Sequence, residues 1–319
     1  MRKKIAEWYV RNKQKIMFVI FFCAVIVVIS LIVRFLAKME RDNVANSIQG
    51  NTQKGPTQVA NFTDIYVEGE ESALTGEEIT SSQVKMLEYV NQFVDLCNTK
   101  QVEKAYNLLS DECKEEVYPS LDGFKRNYYN TIFNGQKRNI SVESWANNIY
   151  KVKYEVDALS TGVYTEENTL QDYISVIKDD NGEGKLNVNG YIGRKEINKV
   201  KNNSNINITV LRSDSHMDYE TYTYSMTNNT SNTILLDDKE DTNNMYIEDE
   251  NGNQYTAYIN ELSDAELMLT PGETKQITIK YYNKYGLTKN IKNIVFNKII
   301  LNYNENEERQ EARVQIELW

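Results

Sequence analysis

Eighteen consecutive residues, Ile16–Val33, carry no charge, and Ser30 is the only polar side chain among them. As a helix at ~1.5 Å per residue the run spans about 27 Å, close to the ~30 Å hydrocarbon core of a bilayer. Ahead of it Arg2, Lys3, Lys4, Arg11, Lys13 and Lys15 stand against Glu7, a net +5 over residues 1–15. The positive-inside bias then predicts a cytoplasmic basic tail over 1–15, a transmembrane signal anchor over 16–37, and the remaining roughly 280 residues outside a plasma membrane. A cleaved signal peptide fits less well, because its apolar core is usually ~7–15 residues and ends at a small-residue cleavage site. Here the core runs into Arg34, Phe35, Leu36, Ala37 and Lys38. A lipoprotein would need a small residue before Cys23, where Phe21 and Phe22 stand. A buried soluble helix is disfavoured because every face is apolar.

Charge is divided in the same sense. Residues 1–41 hold nine basic and two acidic side chains, which leaves 27 basic and 44 acidic in 42–319, a net −17. Such an exterior repels nucleic acid and anionic polymers, so neither is expected as a partner. Three cysteines make no disulfide framework, and Cys23 falls within the apolar run. Cys97 and Cys113 are expected to stay unpaired, since a helical hairpin sets them farther apart than the ~7 Å between Cα atoms that a disulfide spans. An exterior without disulfides, rich in Asn, Lys, Ile and Tyr with three Pro and one His, suits a bacterial envelope.

Residues 38–80 read as a flexible polar tether carrying Gly50, Gly55, Pro56, Gly69 and Gly76, with Asn61–Val67 able to pair with a later sheet edge. From Ser81 the period is helical: Met86, Tyr89, Val90, Phe93 and Cys97 share one face. A second helix is expected from Lys100, with Val102, Ala105, Tyr106, Leu109 and Cys113 inward. A third begins after Pro119, capped by Ser120 and carrying Leu121, Phe124, Tyr128 and Ile132. The period then becomes two, at Ile140/Val142 and Val152/Tyr154/Val156, followed by a strand over Thr169–Lys178 and another through Leu186, Val188 and Ile192. The fold class predicted for 81–198 is α+β, three helices plus a curved antiparallel sheet. After a polar hinge at Lys199–Asn205, residues 205–319 read as an all-β sandwich. Its alternating sets are Ile206/Ile208/Val210, Tyr222/Tyr224/Met226, Ile277/Ile279/Tyr281, Ile299/Leu301/Tyr303 and Val314/Ile316/Leu318, with a hairpin at Asn251-Gly252.

The stretch Phe93-Val-Asp-Leu-Cys-Asn, then Ala105-Tyr-Asn-Leu-Leu-Ser, Cys113-Lys, Tyr118-Pro and Phe124 resembles membrane-anchored members of the nuclear-transport-factor-2-like superfamily, over residues 82–198. That resemblance implies a helical hairpin packed into a curved, cone-shaped sheet, a fold that hosts enzymes and pure binding modules alike. Leu269-Thr-Pro-Gly-Glu-Thr with Ile277-Thr-Ile-Lys-Tyr resembles the turn and next strand of immunoglobulin-like domains on bacterial surface proteins. The order of tail, span and cone is similar to scaffold subunits of conjugative secretion channels, from which the added sandwich departs.

Chemistry is sparse. Enzymes on the cone fold usually work with Asp or His assisted by Tyr. Residues 81–198 contain no His, so Tyr128, Asp157 and Tyr173 are the only set available, and packing or surface roles are expected of them. His216, the one histidine, lies in the polar stretch Ser213-Asp-Ser-His-Met-Asp, and zinc would need further ligands. The Asp179–Gly184 loop has the opening spacing of a calcium loop, but Gly190 stands where a bidentate Glu belongs. The carboxylates of Asp237–Asp241 read as a solvated acidic loop. No catalytic, cofactor-binding or metal residues are predicted, and no cofactor. The function expected is a non-catalytic binding or scaffold protein of a bacterial cell envelope, with envelope proteins as partners. The alternatives are a subunit of a conjugative secretion channel and a small-ligand-binding or enzymatic cone.

Overall fold

The computed structural model describes residues 66–69, 71–156, 169–286, 290–303 and 308–319. The basic tail, the anchor over 16–37 and the tether up to residue 65 lie outside the described residues, as does Asp157. Among the described residues no helix is long and apolar enough to cross a membrane. Thr63–Trp319 forms one compact unit.

Helix α1 (Ser81–Asn98) starts at a reciprocal cap: Thr80 Oγ1 accepts from the Gln83 N–H, and the Gln83 side chain accepts from the Thr80 N–H. Its buried stripe, Met86, Leu87, Val90, Phe93, Val94 and Cys97, follows the helical period. The next stretch departs from expectation. It breaks into α2 (Val102–Asn107) and α3 (Asp111–Glu116), because the intervening backbone is captured by a strand. The Leu186 N–H donates to the Leu108 carbonyl and the Ser110 N–H to the Leu186 carbonyl, each at 2.9 Å. Ser110 Oγ then accepts from the Cys113 N–H and restarts the helix. After Pro119, Ser120 caps α4 (Leu121–Phe124), which continues through a π-helical turn (Lys125–Tyr129) into α5 (Asn130–Ile132).

Five strands form the first sheet in sequence order: β1 (Tyr66–Glu68), β2 (Arg138–Ala146), β3 (Ile149–Val156), β4 (Leu170–Lys178) and β5 (Gly184–Asn187). β1 runs parallel to β2 and the other pairs are antiparallel. Residues read as the end of the tether are fastened here, the Ala73 and Leu74 N–H groups donating to the Ser144 and Trp145 carbonyls at 2.8 Å. α1 crosses the sheet where β5 has no side chain, since a Cβ on Gly184 would run into the Tyr89 ring. Between helices and sheet lies a core rich in aromatic rings, with Phe124 stacked on Tyr128 and Phe93 tilted against both.

β6 (Tyr191–Asn202) leaves this core and enters a second one. Lys199–Asn202, read as a hinge, pair instead with Val210–Asn207 of β7 (Ile206–His216). Together with β8 (Glu220–Asn228) and β13 (Thr274–Tyr281) they make a sheet of order β13–β8–β7–β6. The facing sheet is built on β14 (Ile291–Tyr303). β10 (Met245–Asp249), β9 (Thr233–Leu235) and β15 (Glu311–Glu317) flank it, and β11 (Gln254–Thr256) and β12 (Met268–Leu269) lie outside them. A four-residue helix α6 (Asp264–Leu267) precedes β12. The alternating sets of β7, β8, β13 and β15 are buried between the two sheets. The set read in β14 is not uniform: Ile299 is buried, Leu301 and Tyr303 are half-buried, and the register shifts between Phe296 and Ile299.

The predicted fold class is thereby corrected. Of the described residues 46% are strand and 21% helix, and α1 is the only α-helix among them longer than six residues. The molecule is mostly β, with a curled sheet and few helices, rather than an α+β fold with a three-helix domain. Helical periodicity was present in the second stretch, but backbone pairing with β5 outweighed it.

Candidate functional site

Tyr128, the first residue singled out from sequence, is fully buried. Its hydroxyl donates to Asp172 Oδ2 at 2.8 Å and lies 3.1 Å from the Tyr154 hydroxyl. Tyr173 is not brought to this group. Its half-buried ring packs edge-on against Trp145. The partner that sequence reasoning missed is Asp172, on β4 and 7% exposed. The Asn189 and Gly190 N–H groups donate to its two oxygens at 2.9 and 3.0 Å. These are the central residues of the β5–β6 turn, both with positive φ (59° and 68°), as an Asn-Gly turn of this hand requires. Burial pushes the Asp172 carboxyl up to about 6, against hydrogen bonds from Asn189, Tyr128 and Gly190 that pull it down. Burial likewise raises the Tyr128 and Tyr154 phenols well above their ordinary range. With every member closed off from solvent and paired, the trio fixes a turn to a helix.

A second polar cluster differs in kind. It lies where Glu115 and Glu116, at the end of α3, meet β6 and β7. Arg194 and Asp214 are cross-strand partners on one face, and Arg212 and His216 flank Asp214 at i−2 and i+2. Asp214 is 1% exposed, and its Oδ1 accepts from Arg194 Nε and Tyr191 Oη, each at 2.8 Å. Arg194 Nη1 donates to Glu115 Oε2 at 2.7 Å, and Arg212 Nη2 to Glu115 Oε1 at 3.2 Å. Three further contacts are too long to be hydrogen bonds: the ion pairs of Arg194 Nη2 with Glu116 at 3.7 Å and of Arg212 Nε with Asp214 Oδ2 at 3.5 Å, and the approach of His216 Nε2 to Glu116 at 3.8 Å. The Arg194 hydrogen bond and charge hold the Glu115 carboxyl below the usual range. His216, then Arg194 and Arg212, do the same for Glu116 against its burial.

Eight buried side-chain nitrogen or oxygen atoms lack a hydrogen-bond partner among the described residues, and five of them converge here. They are Arg194 Nη2, Arg212 Nε, Asp214 Oδ2, His216 Nε2 and, opposite Asp214 on β8, Thr221 Oγ1. Buried polar atoms are nearly always paired, so such a concentration calls for a physical account. His216, read as a polar-loop residue, is instead the last residue of β7 and buried. Its ring stacks on Tyr219 at 4.2 Å, and beyond Tyr219 come Lys280, Tyr258 and the exposed Tyr282, each against the next.

The loops weighed for calcium hold themselves together. Asp179 Oδ1 accepts from the Asn181 and Glu183 N–H groups, and Asp237, Asp238 and Asp241 each accept from the N–H two residues on. Among the described residues no three His, Cys, Asp or Glu side chains are grouped as metal ligands.

No protein-family model matches the chain, and no curated protein does. Among solved structures, it is similar to a conserved hypothetical protein from Bacillus anthracis, at 16% identity over 37% of this chain and 95% of that one, with a TM-score of 0.24. A likeness that slight carries nothing about function.

Proposed function

We propose that this chain is a single-pass protein of a bacterial plasma membrane, N-terminus inside, whose body outside the membrane binds or scaffolds envelope proteins and catalyses nothing. One observation carries the reading: the uncharged run Ile16–Val33 separates a tail of net +5 from a remainder that is strongly acidic. The pairing of Tyr128, Tyr154 and Asp172 with one another and with a turn supports a packing role for the polar groups an enzyme on this fold would use. Kinship of residues 82–198 with the nuclear-transport-factor-2-like superfamily, and of 269–281 with immunoglobulin-like surface domains, belongs to the same proposal and rests on the sequence motifs. Protease added to intact cells is expected to degrade the body, and crosslinking in those cells to capture other envelope proteins. A body cut only after lysis would reverse the topology, and crosslinking that captured no protein would remove the scaffold role.

A further inference from the structure

The two apolar cores close separately. The buried members of the first end at Tyr191 and those of the second begin at Ile206, with none in common. Between them run β6 and the charged cluster of Glu115, Glu116, Arg194, Arg212, Asp214 and His216. Polar contacts of this kind between two cores ordinarily permit relative motion. The start of β6 is tied to the first core, since the Ile192 carbonyl accepts from Ser175 Oγ at 2.7 Å and from Asn187 Nδ2 at 2.9 Å. Directly beyond it the register shifts, and Gly193 has φ 156°. Small residues at the ends of elements are where hinges absorb backbone rotation.

We infer that the cluster is a clasp with two states, closed as described and open with water between α3 and β7, the two lobes turning about Gly193. The five orphaned atoms point to this. In the closed state three side chains that are nine-tenths or more buried, Arg194, Asp214 and His216, each leave one polar atom without a hydrogen bond, its nearest opposite group 3.5–3.8 Å away. Opening hydrates all of them, and closing regains the two short bonds from Arg194 and Arg212 to Glu115. The states are thus balanced by groups of opposite preference, as a bistable join requires. The other links across the lobes lie beside the pivot, where rotation displaces them least: the Met217 N–H to the Gly190 carbonyl at 2.8 Å, and Tyr191, which pairs with His216 and donates its hydroxyl to Asp214 at 2.8 Å.

The test uses the full chain with Cys23→Ser and spin labels at Glu88→Cys on the first lobe and Gln276→Cys on the second, both exposed. Cys97 and Cys113 are buried, and burial raises both thiols, so neither competes for label. Double electron–electron resonance is expected to show two interlobe distances. The minor one should grow about threefold on Glu115→Gln with Glu116→Gln, and also in wild type on raising salt to about 0.5 M. One narrow distance, unchanged by charge removal and by salt, overturns the clasp. Should the double variant fail to fold, the salt series on the wild-type charges decides alone.

Discussion

Asp172 and Asp214 are both aspartates buried on strands, each beside a tyrosine hydroxyl, and they are held in opposite ways. Asp172 has donors on both oxygens, two from a turn backbone and one from a helix. Asp214 has both its hydrogen-bond donors on one oxygen, and the other has only Arg212 Nε at 3.5 Å. The first arrangement joins elements within one core, where packing fixes every partner. The second joins two cores that do not share a single buried apolar residue. A polar network can therefore be rigid or adjustable according to what surrounds it, with the same residue types in each.

Mutations can test that contrast directly. Asp172→Ala leaves the Tyr128 hydroxyl and two backbone N–H groups unpaired, and is expected to lower unfolding free energy by about 3 kcal/mol in urea titrations. The pH dependence is a separate signature. With its carboxyl raised from 3.8 to about 6, the Asp172 contribution is fully present below about pH 4 and is lost as pH rises through about 6, on the order of 3 kcal/mol in all. Asp172→Asn should remove that slope, so wild-type and variant stability curves that run parallel from pH 4 to 7 would contradict the burial argument. Gly184→Ala pushes the Tyr89 ring off β5 and should lower the urea midpoint by the equivalent of about 1–3 kcal/mol. Arg194→Met, at the adjustable join, strips Asp214 of its charged donor, but should cost less than the roughly 3–5 kcal/mol usual for a buried charge left alone, since water reaches Asp214 when the clasp opens. A loss as large as that of Asp172→Ala would erase the distinction between the two networks.

The positions of many strands were legible because alternation reports directly which face of a strand is covered, as at Tyr222, Tyr224 and Met226. The start of α1 was legible because the apolar residues from Met86 on recur at the helical period. What escaped depended on contacts remote in sequence. Nothing between Lys100 and Cys113 announces that β5, more than seventy residues on, will pair with Leu108 and Ser110 and split the helix. Asp172 looked like one polar residue in an apolar strand until the Asn189-Gly190 turn was laid against it. His216 read as part of a loop because its neighbours Ser213, Asp214 and Ser215 are polar. Asp214 is polar, like Arg212 and His216, because that face of β7 meets the carboxylates of α3 rather than an apolar layer, and Ser213 and Ser215 alternate with them on the other face. The Tyr128, Asp157 and Tyr173 set did not assemble: Tyr128 found Asp172, Tyr173 faces Trp145, and Asp157 lies outside the described residues.

The parallel pairing of β1 with β2 has a mechanical meaning. Tension on the chain ahead of Thr63 would load Tyr66, Val67 and Glu68 along the strand axis, in shear against Ser141, Val142 and Glu143. Next in line are the Ala73 and Leu74 bonds to β2, and only then the helix-covered core. Pulled from that side, the body has a short fuse at its entrance: the three β1 pairs slide apart together before load reaches either core.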